Sequence, residues 1–359
     1  MDNIIDAKLI EFKLIERKLN NINSCCTSHE INKLIIIVLL LLLLLLLLLL
    51  INIKQNLDKN ILYLKEPESL PSVDKILPNE ILEEPLKNFY INTSHNSYLS
   101  NNQILGKSRD KNTLGAIYSG SRCIELDIIT DYSEIPIISH NKWDIQISTF
   151  ESHCKVIKDY AFKLTNDPLI IYLEIHNADK KNYMKNIANL IDKYFKERLY
   201  EHFFNKNTYN TYLPNVKLKD LLGKICIVVN YFNMNIGKII PETNYKLGLK
   251  NRIEYLDPII HATTDEQENG WFDNGYLMRS QNNKDKIENV FNKFVRVYPY
   301  NIFRSNNYDI QPFLENGYSL IAINKTYNDK YIKDYNEFFK ISNIIPKYWN
   351  YVNNTWQKK

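Results

Sequence analysis

The sequence predicts an α/β protein, a (β/α)8 barrel preceded by a single transmembrane helix. Three observations carry that expectation. Short β-rich runs recur eight times after residue 80, separated by segments long enough for helices. Several runs are apolar on both faces, as in Leu169-Ile170-Ile171-Tyr172-Leu173, which suits buried strands of a parallel sheet. Residues 34–51 are 18 consecutive apolar positions without a charge.

The apolar run comes first in the chain, behind a polar segment at 1–33. At about 1.5 Å rise per residue it spans roughly 27 Å, close to the hydrocarbon thickness of a bilayer. A cleaved signal peptide is the rival reading, but its apolar region usually runs about 7–15 residues and ends in a small-residue cleavage site. Here 33 residues precede the run and Asn52-Ile53-Lys54-Gln55 follows it, so a retained anchor is expected. Charge does not orient it: Arg17, Lys18 and Lys33 on one side balance Lys54, Lys59 and Lys65 on the other. Residues 52–81 read as a polar juxtamembrane linker containing Pro67, Pro71 and Pro78.

The expected strands follow at 89–93, 122–130, 135–139, 169–175, 224–229, 258–263, 294–298 and 318–323. They divide the body into one half at 82–230, a short connection at 231–255, a second half at 256–330 and a tail at 331–359. Composition agrees with a folded body. The chain has 359 residues, 45% hydrophobic, and its net charge of +4 is nearly balanced, with no basic tail to suggest nucleic acid. Its five cysteines form no Cys-x-x-Cys pair, which argues against structural zinc and a disulfide scaffold. Cys25 and Cys26 read as ordinary thiols, with acylation the alternative.

In a barrel of this kind, active sites sit in the loops after the strands. The first expected strand runs into His95 and Asn96, the second carries Glu125 and Asp127, the third ends in Ser139-His140, and the fourth ends in Glu174-Ile175-His176. Glu125 and Asp127 are two apart, so on a strand they share a face. Asn96, Glu125, Asp127 and Glu174 offer only oxygen donors, a set suited to Ca2+ or Mg2+. His95 and His140 can move protons and stabilise negative charge near neutral pH. A hard cation flanked by two imidazoles suits phosphodiester cleavage. Each piece alone has a bland reading, such as a surface histidine or a helix-capping carboxylate. The order of the pieces along the chain gives them weight.

The stretch from Tyr90 through Thr93-Ser94-His95-Asn96-Ser97-Tyr98 resembles the opening of the X region of eukaryotic phosphoinositide-specific phospholipase C. So do Ser121-Arg122-Cys123-Ile124-Glu125-Leu126-Asp127, Ile138-Ser139-His140, Lys158-Asp159-Tyr160-Ala161-Phe162 and the run from Pro168 to His176. Arg296-Val297-Tyr298-Pro299, Arg304-Ser305-Asn306-Asn307-Tyr308 and the run from Asn316 to Asn324 are similar to its Y region. The resemblance implies a calcium-dependent enzyme that cleaves phosphoinositides to diacylglycerol and inositol phosphates through a cyclic phosphodiester, in signalling and lipid turnover. It implies that His95 stabilises the phosphate, that His140 is general acid and then base, and that Asn96, Glu125, Asp127 and Glu174 hold Ca2+. It also implies that Glu125 takes the 2-hydroxyl proton.

For the headgroup, the resemblance implies Ser280, Arg296, Tyr298 and Lys224, with Leu222 standing where the family has another lysine. Trp143, Ile302 and Phe303 are candidates for contact with the lipid bilayer. The 231–255 connection is not acidic, so an anionic plug over the site is not expected. Because phosphoinositides lie mainly in cytoplasmic leaflets, the resemblance places the barrel on the cytosolic face. A catalytically weak, membrane-tethered inositide-binding protein is the alternative. A glycerophosphodiester phosphodiesterase shares the logic of the site but lacks the Y-type pattern.

Overall fold

The structure is a computed structural model that describes residues 13–14, 16–17, 28–59, 67–100, 106–130, 133–141, 144, 146–177, 180–200, 213–232, 260–263, 273–279, 289–299 and 306–359. The chain divides into two compact units, Met1–Lys59 and Asn60–Lys359. The first contains helix α1 (Ser28–Lys59). Its stretch Ile31–Leu49, with a mean hydropathy of 3.1, is long and apolar enough to cross a membrane. The unbroken leucines favour helix and leave no polar face.

The second unit is built on eight strands: β1 (Thr93–Ser94), β2 (Cys123–Thr130), β3 (Leu169–His176), β4 (Ile225–Phe232), β5 (Ile260–Thr263), β6 (Asp273–Arg279), β7 (Val295–Tyr298) and β8 (Leu320–Ile323). They lie in the order β5-β4-β3-β2-β1-β8-β7-β6, and each neighbouring pair is parallel. This is a TIM-barrel-like sheet in which strands consecutive in sequence are neighbours. The two ends of the path, β5 and β6, are not paired with each other among the described residues.

Two sequence expectations change here. Residues 135–139 are not a barrel strand. Pro136–Ile138 turns back antiparallel onto β2, with Ile128 opposite Ile138, and then pairs Ser148–Thr149. The strand that completes the eight is β6, which opens on polar Asp273-Asn274-Gly275 and carries only the short apolar stretch Tyr276-Leu277-Met278.

The side-chain period of two along each strand sorts the core from the site. On β2, Ile124, Leu126 and Ile128 pack outward with Leu169, Ile171, Leu173 and Ile175 of β3. They meet α2 (Asp110–Tyr118), α3 (Phe150–Tyr160) and α4 (Lys181–Phe195). Helix α4 contributes Tyr183, Met184, Ile187, Ala188, Ile191 and Phe195, a stripe at helical spacing. Burying each large apolar side chain contributes about 1.5–3 kcal/mol. The alternate residues Cys123, Ile170, Tyr172, Cys226, Val228 and Leu320 form a separate cluster with Phe294. Glu125, Asp127 and Glu174 continue that second face toward the strand ends.

The body extends beyond the boundaries read from sequence. Within the expected linker, Val73, Leu77 and Ile81 are buried, and Val73 N donates to Asp167 Oδ1 at 2.7 Å. Within the expected tail, helix α5 (Lys330–Phe338) buries Ile332 and Tyr335. The Tyr335 hydroxyl accepts from Thr93 N at 2.6 Å, and Ile344–Pro346 pairs antiparallel with Phe89–Ile91.

A buried histidine outside the strand ends gives a test of the packing. His153 on α3 bridges Thr113 Oγ1 at 2.8 Å through Nδ1 and Ser148 Oγ at 2.7 Å through Nε2. Both hydroxyls can donate or accept, so the neutral ring is satisfied, and burial pulls its pKa down to about 3. The unfolded chain therefore takes up this proton at a higher pH than the folded chain. The stabilisation is complete above an unfolded pKa of about 6.5 and is lost as pH falls toward the folded value. Between pH ~6.5 and ~4 the expected loss from His153 is about 3 kcal/mol. Denaturant midpoints across that range, compared with His153→Gln, should show the wild type losing more by about this amount; parallel curves would contradict it.

Candidate active site

The site gathers at the C-terminal ends of β1, β2, β3, β7 and β8. His95 and Asn96 follow β1 directly. Asn96 has a positive φ of 41°, a conformation asparagine tolerates better than most residues, and it turns the chain sharply after the histidine. The loop is tied to β2 by Ser97 N donating to Glu125 O at 3.1 Å and Glu125 N donating to Ser97 Oγ at 3.0 Å. Register then sets the carboxylates: Asp127 stands opposite Glu174 and Glu125 opposite Tyr172.

Glu125 accepts from Asn96 N at 3.0 Å through Oε2 and pairs with Arg296 Nη2 at 2.6 Å through Oε1. Both partners of that ion pair are buried, at 3% and 5% side-chain exposure. Burial alone would raise the Glu125 pKa, but Arg296 and His95 outweigh it and hold the carboxyl below its ordinary range. The Arg296 guanidinium also lies over the rings of Tyr172 and Tyr298, at 4.4 and 4.9 Å. Its Nε is buried without an acceptor among the described residues.

His95 stacks on Tyr298, with centroids 6.1 Å apart and planes 6° from parallel. Its Nε2 lies 4.0 Å from Glu125 Oε2. Burial lowers its pKa, and Glu125 partly offsets that while Arg296 adds to it. His140 is close enough to lower the His95 pKa further. The His140 loop is held by Asp144, whose Oδ2 accepts from Ser139 Oγ at 2.5 Å and His140 N at 2.8 Å. Asp144 Oδ1 accepts from Gly106 N at 3.2 Å.

Asp127, Glu174 and His176 bring one ligand atom each within 4.8 Å of one another. The Tyr98 hydroxyl donates to Asp127 Oδ2 at 2.8 Å and reaches Asn96 Oδ1 at 3.5 Å, which joins Asn96 to the cluster. Asp127 Oδ1 is buried without a hydrogen-bond donor among the described residues. Burial, then Glu174 and Glu125, push the Asp127 pKa well up. A bare oxygen among like charges is what a hard divalent cation would offset, so the residues fit Ca2+.

The sequence reading passed over His176 as a ligand-range neighbour, although Glu-x-His places both on one strand face. It also assigned no role to Asp144, Asn307 or Asn324. Lys224 is a correction. It precedes β4, and its carbonyl accepts from Leu169 N at the start of β3. The β4 residue level with Glu174 is Asn230, six positions on, or roughly 20 Å along the strand. Lys224 therefore sits at the opposite end of the sheet from the site. Leu222 shares that end, packed against the apolar cluster, and Lys219 pairs with Glu83. Ser280, Trp143, Ile302, Phe303 and nearly all of the 231–255 connection lie outside the described residues.

The family model of the phosphatidylinositol-specific phospholipase C X domain matches residues 82–231. Those residues contain His95, Asn96, Glu125, Asp127, His140 and Glu174. Residues 82–231 therefore resemble an X domain of that family. The chain is 32% identical over 202 residues to a 1-phosphatidylinositol 4,5-bisphosphate phosphodiesterase of Drosophila melanogaster, covering 55% of this chain and 18% of that protein. It is 31% identical over 170 residues to the human beta-2 form, covering 46% and 14%. Human inactive phospholipase C-like protein 2 also matches, at 30% over 158 residues, covering 44% and 14%. The chain thus spans under a fifth of the length of these curated relatives. The crystal structure of PLC21 from L. pealei shares the fold of residues 82–231 and of much of the chain around them. It superposes with a TM-score of 0.57 at 23% identity, covering 76% of this chain and 39% of that one.

Proposed function

We propose that this chain is a calcium-dependent phosphoinositide phospholipase C, tethered by its N-terminal helix with the catalytic body on the cytosolic face. The supporting observation is that Glu125, Asp127 and Glu174 gather at the ends of β2 and β3 beside His95, with His140 near enough to His95 to act on its charge. Asn96, Glu125, Asp127 and Glu174 would hold Ca2+, beside His176. The ion would supply a Lewis acid that lowers the pKa of the inositol 2-hydroxyl and offsets phosphate charge.

The chain's own groups divide the remaining work. Glu125, held ionised by Arg296, accepts the 2-hydroxyl proton as that oxygen bonds to phosphorus. The bond to the diacylglycerol oxygen breaks, and His140 gives that oxygen a proton. His140 then takes a proton from water as the water oxygen bonds to phosphorus; the bond from phosphorus to the inositol 2-oxygen breaks, and Glu125 returns its proton to that oxygen. His95 and Arg296 face the non-bridging oxygens, and the unmatched Arg296 Nε suits an anion. Helix α1 would keep the body at its substrate and raise the effective concentration.

The test is release of inositol phosphates from phosphatidylinositol-containing vesicles by the full chain, with and without a calcium chelator. Chelator-sensitive release is expected. Inositide binding without release would favour the tethered binder, a reading that the match to an inactive relative keeps in play. The same assay tests the His140 loop. Asp144→Ala removes the acceptor for His140 N and Ser139 Oγ. It is expected to lower turnover by about 10²-fold with little change in KM; unchanged turnover would contradict the role of Asp144.

A further inference from the structure

We propose that Asn324 and Asn307 position His95, fixing which ring nitrogen faces the reaction centre, and that they link this ring to the N-terminus of α5. For its activity readout the inference rests on the phospholipase reading. Strands β1 and β8 are neighbours, and His95 N donates to Ile323 O at 2.8 Å. The next residue after Ile323 is Asn324, whose Oδ1 lies 2.9 Å from His95 Nδ1. A carboxamide oxygen only accepts, so Nδ1 carries the hydrogen and Nε2 is left toward Glu125 and the substrate.

Asn324 is itself clamped. Its backbone N donates to Asn307 Oδ1 at 2.7 Å, and Asn307 Nδ2 donates back to Asn324 O at 3.2 Å. Asn307 is 1% exposed and Asn324 is 5% exposed. Asn307 N in turn donates to Asp329 Oδ2 at 2.9 Å. Asp329 caps α5, its Oδ1 accepting from Ile332 N at 3.0 Å. The path Asp329–Asn307–Asn324–His95 therefore joins a helix cap to the ring through hydrogen bonds, buried between Asn307 and Asn324 and part-buried at both ends. Asn307 and Asn324, the residue after β8, acquire a function through this path. Tyr308 supports it from behind, donating to Ala322 O at 2.9 Å on β8.

The test separates positioning from folding, because Asn324→Ala keeps the backbone atoms that Asn307 clamps and deletes only the side-chain acceptor. The full chain, labelled with 15N-histidine in detergent micelles, reports the His95 tautomer through ring nitrogen shifts, with His95→Gln giving the assignment. Wild type is expected to show the Nδ1–H form. Asn324→Ala should lose that preference and lower kcat by about 10²-fold with KM within about twofold. Asn324→Asp, which keeps an accepting oxygen, should restore the Nδ1–H signature. A wild-type tautomer and kcat in Asn324→Ala would overturn the proposal. So would a wild-type protein in the Nε2–H form. If wild type releases no inositol phosphate, the phospholipase reading fails, and the tautomer comparison alone then decides the positioning role.

Discussion

Replacing His140 by alanine is expected to lower phosphoinositide turnover by roughly 10⁴-fold, the upper end for a general acid–base residue. The leaving oxygen is an alkoxide, which departs poorly without a proton. The loop should survive, because Asp144 holds the backbone nitrogen of residue 140 rather than the ring. A substrate with a nitrophenol leaving group needs little protonation, so on it the loss should shrink at least about tenfold. Equal loss on both substrates would mean that His140 is not the proton donor. His95→Ala should behave differently, with similar losses on both substrates, since the role proposed for His95 lies with the phosphate and not the leaving group.

The second large effect concerns stability. Arg296→Ala leaves the Glu125 carboxylate buried without its ion partner. Breaking a buried pair on one side costs about 3–5 kcal/mol. The double variant Arg296→Met, Glu125→Leu removes both charges and should recover most of that stability while remaining inactive. Because pairing lowers the folded pKa of Glu125, this stabilisation is present above the ordinary carboxylate pKa. It is lost as pH falls through the folded value, so wild type and Arg296→Ala should converge in acid. A single-variant cost below about 1 kcal/mol, as for an exposed pair, would contradict this.

These effects trace to features that sequence exposes unevenly. Glu125-x-Asp127 could be placed on one face because strand period is local. His95 and Asn96 were legible because they close a run that ends against them. The direction of a strand is not local. Residues 135–139 are apolar like many buried strands, yet Ile138 pairs antiparallel with Ile128. Strand β6 was missed because its polar start has no apolar signal. Lys224 was placed at the wrong end because a glycine-lysine step beside a strand does not say which end of the barrel it marks. Asp144 and Asn307 act on backbone nitrogens, and Asn324 acts on a ring brought close by β1–β8 pairing. Such partners are set by tertiary contact, which residue type alone does not encode.

The most direct test of the account compares phosphatidylinositol with its 2-deoxy analogue in the same vesicles, using the full chain and saturating calcium. Attack by the inositol 2-hydroxyl, assisted by Glu125, is the first step of the proposed mechanism. Cleavage of the natural lipid with none of the 2-deoxy lipid is the expected result. Comparable cleavage of both would mean that water attacks phosphorus directly, and the roles assigned to Glu125 and His140 would have to be abandoned.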